Sequence, residues 1–302
     1  MFLTELVDRY NCDEQCRAYL EELRWAKGPI CPRCGGVNIA RISTRKSVLR
    51  CRGCQRQFTV TMGTIFHDSH MPLVKWFLAV LLMCEAKKGM SAWQLKRTLG
   101  MAYKTAWYLC HRIREAMANA NESQPKVSGV VEMDETYIGP RERGGKRGRG
   151  AKKQIVIGIR ERNGQLRLFK ASDVTADTLA KYIKENVQTD DVDVIITDDY
   201  RPYMAAMRET ALTLQHRTVT HSKGEYVVGA NFHTNTVESA FSLLKRGMVG
   251  SWHRVSVKHL QRYLEEMSYR FGERENPQLF SLTLQNLLTT DPLTFKDLTK
   301  AA

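Results

Sequence analysis

Two kinds of side chain stand at spacings that could do chemistry: thiols and carboxylates. Cys31-Pro-Arg-Cys34-Gly-Gly and Arg50-Cys51-Arg-Gly-Cys54 are two Cys-x-x-Cys pairs with sixteen residues between them. Each pair, with its adjacent glycine, makes a tight knuckle that aims two thiolates at one centre. Four sulfurs close the tetrahedral shell of Zn²⁺ and leave no open position, so the expected site is structural zinc on Cys31, Cys34, Cys51 and Cys54. The segment Ile39 to Leu49 is expected to form strands that bring the knuckles together. A redox dithiol is the rival reading, but thioredoxin-like motifs do not come as spaced doublets without a βαβ pattern. Cys12 and Cys16 lack further ligands at metal spacing, and Cys84 and Cys110 sit among apolar neighbours, so these four read as core. His67 and His70 read as loop residues.

Three acids occupy or end regular elements instead of dotting a solvated face. Asp134 lies in the apolar segment Gly129 to Ile138, Asp198 ends Val192 to Asp198 in phase with Val192, Val194 and Ile196, and Glu238 stands beside Val237 and Phe241 on a helix. Glu135, alternating to the other face, and Asp199, one residue past its strand, remain open alternatives on spacing alone. An acid in a central strand is costly unless something cationic compensates it. Carboxylates converging from three segments suit one or two Mg²⁺ ions, which need oxygen ligands and could stabilise both oxygens of an in-line phosphoryl displacement. Acids acting as helix caps or ion-pair partners are the plainer reading.

The elements that must position these groups follow from periodicity. Residues 1 to about 27 read as short amphipathic helices, with Asn11 or Asp13 as the cap between them. After the cysteine segment, Trp76, Phe77, Val80, Leu81 and Cys84 follow helical spacing behind Pro72. A helix capped by Ser91 and ended by Gly100 comes next, then another from Tyr103 to Ala118; this is a helix-turn-helix candidate whose second member carries Lys104 and Arg112 for groove and phosphate contacts. Ser123 to Ser128 reads as a linker. Beyond it strands are expected at 129–138, 155–162, 165–171, 192–197 and 213–219, with Asn163-Gly164 as a hairpin turn, and helices at 176–187, 200–208, 236–248 and 257–271. A meander followed by crossovers implies one mixed sheet flanked by helices. Leu282, Leu284, Leu287 and Leu288 predict a docking helix before a weak tail.

Composition sets the partners. The 302-residue chain has 46 Lys plus Arg against 32 Asp plus Glu, a net charge of +14, with 43% hydrophobic residues. Wholesale disorder is excluded, and polyanions are attracted, nucleic acid foremost. The longest apolar run, Trp76 to Cys84, is too short to span a bilayer, and early charges leave no room for a signal peptide, so a cytoplasmic, nucleoid-associated location without membrane contact is expected. The run Arg141 to Lys153 holds seven cations and one anion. Lys146, Arg147 and Arg149 within it are expected to close on a phosphate backbone.

Val131-Glu-Met-Asp134-Glu-Thr-Tyr-Ile-Gly139, Ile196-Thr-Asp198-Asp-Tyr200 and His233-Thr-Asn-Thr-Val-Glu238-Ser-Ala-Phe-Ser-Leu-Leu-Lys245-Arg resemble the three acidic motifs of DDE insertion-sequence transposases. More narrowly they resemble the ISXO-like branch with an N-terminal zinc ribbon and an RNase H-like catalytic domain. Gly145 to Gly150, His221-Ser222 and Ser256 to Leu264 match that branch too, and Phe241 stands where it usually has tryptophan. The likeness covers residues 15 to 272. It implies an α/β fold in four segments: an N-terminal helix and zinc ribbon at 1–60, a helical helix-turn-helix domain at 61–122, an RNase H-like catalytic domain at 128–275, and a docking helix and tail at 276–302. It implies Asp134, Asp198 and Glu238 as catalytic ligands of Mg²⁺ or Mn²⁺, and Lys245, two helical turns past Glu238, with Arg246, as contacts to DNA phosphate. The implied partners are double-stranded DNA, as element terminal repeats and target, and a second copy in a homodimer or larger assembly. A non-catalytic DNA-binding regulator and an RNase H-like nuclease that never joins strands are the alternatives.

Overall fold

The computed structural model describes residues 1–139, 153–219 and 232–300, and these divide into two compact units. The first contains Met1–Ala86, Met90–Ala120 and the C-terminal segment from Asn276; the second contains Lys87–Gly89 and Asn121–Glu275. Among the described residues no helix is long and apolar enough to cross a membrane.

The first unit opens with α1 (Leu3–Arg9) and α2 (Asp13–Arg24), then a small antiparallel sheet of β1 (Ile39–Arg41), β2 (Leu49–Cys51) and β3 (Gln57–Phe58). Next come α3 (Leu73–Glu85), α4 (Ala92–Leu99) and α5 (Tyr103–Glu122). Pro72 precedes α3 as expected, but the cap assignment for α2 is corrected. Asp13 lies inside the first turn of α2, and its Oδ1 accepts the N–H of Val74, so it satisfies an open donor of α3. Ser91 and Gly100 do bracket α4: the serine hydroxyl accepts from the N–H of Gln94, and Gly100 takes the left-handed φ of +60° that a helix end requires. Cys16, Cys84 and Cys110 are buried as expected, whereas Cys12 is exposed and plays no part in the core.

The second unit is built on β4 (Val127–Ile138), β5 (Gln154–Glu161), β6 (Leu166–Ala171), β7 (Val187–Asp198) and β8 (His216–Val219), in the order β6-β5-β4-β7-β8. β4, β5 and β6 are antiparallel neighbours, with Asn163 at φ +61° in the hairpin turn, while β7 and β8 add parallel to β4. Helices α6 (Ala176–Asn186), α7 (Arg201–Glu209), α8 (Asn235–Gly247) and α9 (Leu260–Gly272) complete it, with one π-helical turn, Met248–Trp252, after α8. On one face Met133, Ile157, Ile159 and Ile195 pack with Leu179, Ile183, Tyr203 and Met207 of α6 and α7. On the other, Val156, Leu166 and Leu168 pack with Val237, Phe241 and Leu244 of α8 and Leu264 and Met267 of α9. This is the expected mixed sheet between two helical layers.

One detail departs from simple alternation. Gly129 pairs with Val192 but Val130 with Val194, so β7 carries an extra residue, Asp193, at that point. The bulge sends Val192 to the α6–α7 side, while Val194 and Ile196 meet Val130 and Val219 on the opposite side. Asp198 therefore shares its face with Val194 and Ile196 but not with Val192.

The C-terminal segment forms α10 (Leu279–Thr289) and α11 (Phe295–Thr299) within the first unit. Phe280 meets the ring of Phe77 edge-on at 5.7 Å, and the carbonyl of Leu287 accepts from the N–H of Ile65.

Candidate catalytic and metal sites

The four cysteines converge. The sulfurs of Cys31 and Cys54 are 3.6 Å apart, as are those of Cys34 and Cys51, and all four lie within 4.8 Å of one another. A tetrahedron with metal–sulfur bonds of about 2.3 Å needs sulfurs about 3.8 Å apart, so the donor set fits zinc. The knuckle backbones favour the thiolate form. The N–H groups of Cys54 and Gly53 hold the Cys51 thiol below its ordinary value against the effect of burial. Burial likewise opposes, but does not prevent, the lowering of Cys31 to about 6 by the N–H groups of Arg33 and Cys34. Cys34 has the help of the Gly36 N–H, yet the crowding sulfurs of Cys54, Cys51 and Cys31 push it up to about 12, the behaviour of thiols with no cation to share. A module whose core is little more than Leu49 and Phe58 beside Trp25 needs such a staple.

The carboxylates come together on the α8 face of the larger sheet. Asp134 pairs with Gly158 of β5, and two residues earlier Glu132 pairs with Ile196 of β7. Two residues further along both parallel strands stand Asp134 and Asp198, at the same level. Glu238 arrives from the first turn of α8, where its Oε1 accepts the hydroxyl of Thr234 at 2.9 Å. α8 approaches this closely because Gly158 has no side chain: a Cβ there would lie 2.7 Å from the Phe241 ring and 2.9 Å from Val237. Burial first, and then the charge of Glu135, push the Asp134 carboxyl well above the usual carboxylate range; the N–H of Glu135 pulls against them, and the charges of Asp198 and Glu238 add smaller upward pushes. Such crowding of like charges fits a cation-binding site. Among the described residues only the cysteines bring three or more ligand atoms within 4.8 Å of one another. Oxygens sharing one Mg²⁺ lie at most about 4.2 Å apart, so the three carboxylates as placed do not all reach a single ion.

The alternatives left open by spacing are separated by the fold. The Oε2 of Glu135 accepts the hydroxyl of buried Tyr203 at 3.0 Å, on the α6–α7 side. Asp199 is exposed beyond the strand end. Sequence reasoning missed Glu132. Its side chain is fully buried and accepts from Arg162 and from the first N–H groups of α8. The signal was available, since an acid two residues before Asp134 must share its face. His233 Nδ1 lies 3.4 Å from Glu132 Oε1 and 3.3 Å from Arg162 Nη2.

Of the basic residues, Lys245 and Arg246 are exposed on α8, the latter donating to the hydroxyl of Ser242. Lys104 is exposed at the start of α5 with its ammonium 4.5 Å from the centre of the Phe295 ring. Arg112 is a correction. It is 4% exposed, donates to the carbonyls of Ile65 and His67, and lies over the rings of Trp76 and Tyr108, so its guanidinium serves the interior instead of a DNA groove. Lys146, Arg147 and Arg149, with His221 and Ser222, lie outside the described residues.

Comparison with known proteins agrees with this organisation. Residues 126–272 match the ISXO2-like transposase domain, and residues 11–57 match the transposase zinc-ribbon domain. A protein in the transposable element ISH50 of Halobacterium salinarum is 30% identical over 283 residues, covering 87% of this chain and 92% of that protein. Among solved structures, the Mos1 strand transfer complex aligns over 70% of this chain and 78% of that one, at 13% identity and a TM-score of 0.29. The mariner Mos1 paired-end complex with Mg aligns over 70% and 78%, at 11% identity and a TM-score of 0.27. These structural scores are too low to bear on the site. The two domain matches and the full-length relative agree with the cysteine cluster and the mixed sheet, and the chain belongs to the ISXO2-like transposase family.

Proposed function

We propose that this transposase binds the terminal inverted repeats of its element and cuts and joins DNA strands at a site built from Asp134, Asp198 and Glu238. The observation that carries the reading is that β4, β7 and α8 each carry a carboxylate on one sheet face, with Asp198 and Glu238 adding to the rise that burial and Glu135 give Asp134. Mg²⁺ or Mn²⁺ bound there would supply Lewis acidity to the scissile phosphate and a nucleophile from water or a 3′-hydroxyl. The chain's own part is positional. Asp134 and Asp198 present oxygens from neighbouring strands that cannot shift without breaking the sheet, Thr234 orients Glu238, and Lys245 and Arg246 offer charge to the phosphates on either side. No side chain needs to attack the phosphodiester, so no covalent protein intermediate is required. Zinc on the four cysteines, with α4 and α5 and the exposed Lys104, would recognise the element end, and Lys146, Arg147 and Arg149 would hold its backbone. Two ends must be paired, so the working form is a homodimer or larger assembly on DNA.

The test uses the full-length, zinc-loaded protein with DNA carrying the element ends. Strand cutting with Mg²⁺ or Mn²⁺ is expected, together with strand-transfer products from a pre-cut end. Asp134→Asn is expected to lose more than about 100-fold in cutting, beyond what loss of an outer-shell partner brings, while end binding stays intact. Cutting by Asp134→Asn at the wild-type rate refutes the site; cutting without joined products would make the protein a nuclease.

A further inference from the structure

We infer that Glu132 is a positioning residue for Glu238, locking the helix that carries the third carboxylate to the strand that carries the first. The inference rests on the catalytic reading above and names a group to which that reading assigns no role. Glu132 stands two residues before Asp134 on the same face of β4, and its side chain is 0% exposed. Its Oε2 accepts the N–H of Thr236 at 3.0 Å and of Val237 at 3.1 Å, two of the donors a helix start leaves open. Its Oε1 accepts from Nε and Nη2 of Arg162 at 3.2 and 2.9 Å. The positive end of the helix and the guanidinium together offset the burial of the charge.

The arrangement at the head of α8 argues for positioning over simple capping. Helix starts are ordinarily capped by the residue just before them. Here Thr234 holds that place, makes no side-chain cap bond, and gives its hydroxyl to Glu238. The capping is taken over by Glu132, more than 100 residues earlier in the chain. The local cap is thereby freed to orient the proposed metal ligand, while the distant acid sets the height of the helix above Asp134. Glu238 follows Val237 directly, so any slack at Val237 passes to the carboxylate.

The experiment compares wild type with Glu132→Gln and Arg162→Lys as full-length, zinc-loaded proteins. Cutting rate is measured across a Mg²⁺ titration, with end affinity and melting temperature recorded in parallel. Glu132→Gln is expected to lose about 10–100-fold in rate and to need more Mg²⁺ for half-maximal cutting, with end affinity unchanged. Arg162→Lys keeps the charge but not the two-point bond, so it should shift the Mg²⁺ requirement in the same direction by less; it carries the test if Glu132→Gln does not fold. A purely structural role would lower the melting temperature and leave the Mg²⁺ requirement where it was. A folded variant cutting with the wild-type Mg²⁺ requirement overturns the inference and spares the catalytic reading. Wild type inert with both Mg²⁺ and Mn²⁺ overturns the catalytic reading, and the inference falls with it.

Discussion

Asp134 stands among acids on a half-buried face, and the cost falls on the folded state. Its folded value is raised above the ordinary carboxylate range, so the fold binds that proton more tightly than the unfolded chain does. Stability therefore falls as pH rises from the ordinary carboxylate range through the raised value, and stays lowered above it. Asp134→Asn removes the charge that is penalised. At neutral pH, with zinc kept and Mg²⁺ absent, the variant is expected to melt at a higher temperature than wild type. Adding Mg²⁺ should raise the melting temperature of wild type and leave that of the variant nearly unchanged. Equal melting temperatures without Mg²⁺ would contradict the crowding argument. Residue types were legible here and orientations only partly. The alternation in β4 put Asp134 and Glu135 on opposite faces without saying which face held the site, and whether the arginine at 112 faced in or out depended on the carbonyls of Ile65 and His67, which no local pattern connects to α5.

Among the elements, α8 decides the geometry of the site, and the glycine beneath it decides how near α8 comes. Adding a Cβ at Gly158 puts it 2.7 Å from Phe241, a distance that side chains do not tolerate without moving. Gly158→Ala is expected to cost about 1–3 kcal/mol through overpacking, read by urea denaturation, and to lower cutting more than end binding because Glu238 rides on the displaced helix. A variant as stable as wild type would show that the helix can move away freely. The expected strands and helices of this unit all appear, with boundaries displaced by a few residues. Their periodic apolar faces made them readable; the bulge at Asp193 did not show, because it arises from how β7 fits β4.

At the scale of the molecule, the last helices complete the first unit instead of extending the second. Leu284 and Leu287 of α10 are fully buried there, and the backbone of Leu287 bonds that of Ile65. Leu287→Ala is expected to cost the first unit about 2–5 kcal/mol, visible as a lower midpoint of its unfolding transition. An unchanged midpoint would mean that α10 contributes little to that core. The leucine spacing of α10 showed that it must dock, and nothing in it showed where.

By itself the sequence determined the cysteine doublet with its zinc-binding spacing, the presence of acids at strand and helix positions, the order of the elements, and a surplus of positive charge. Each of these is written in spacing or composition, which act over a few residues or over the whole chain at once. Tertiary structure alone decided which face α8 covers, that Glu132 caps it, that Asp13 serves α3, that Arg112 turns inward, and that α10 returns to the first unit. Those outcomes depend on a buried charge or an apolar stripe meeting its partner across the fold. Glu132 and Val237, 105 residues apart, are joined by one hydrogen bond that no repeat or period along the chain encodes.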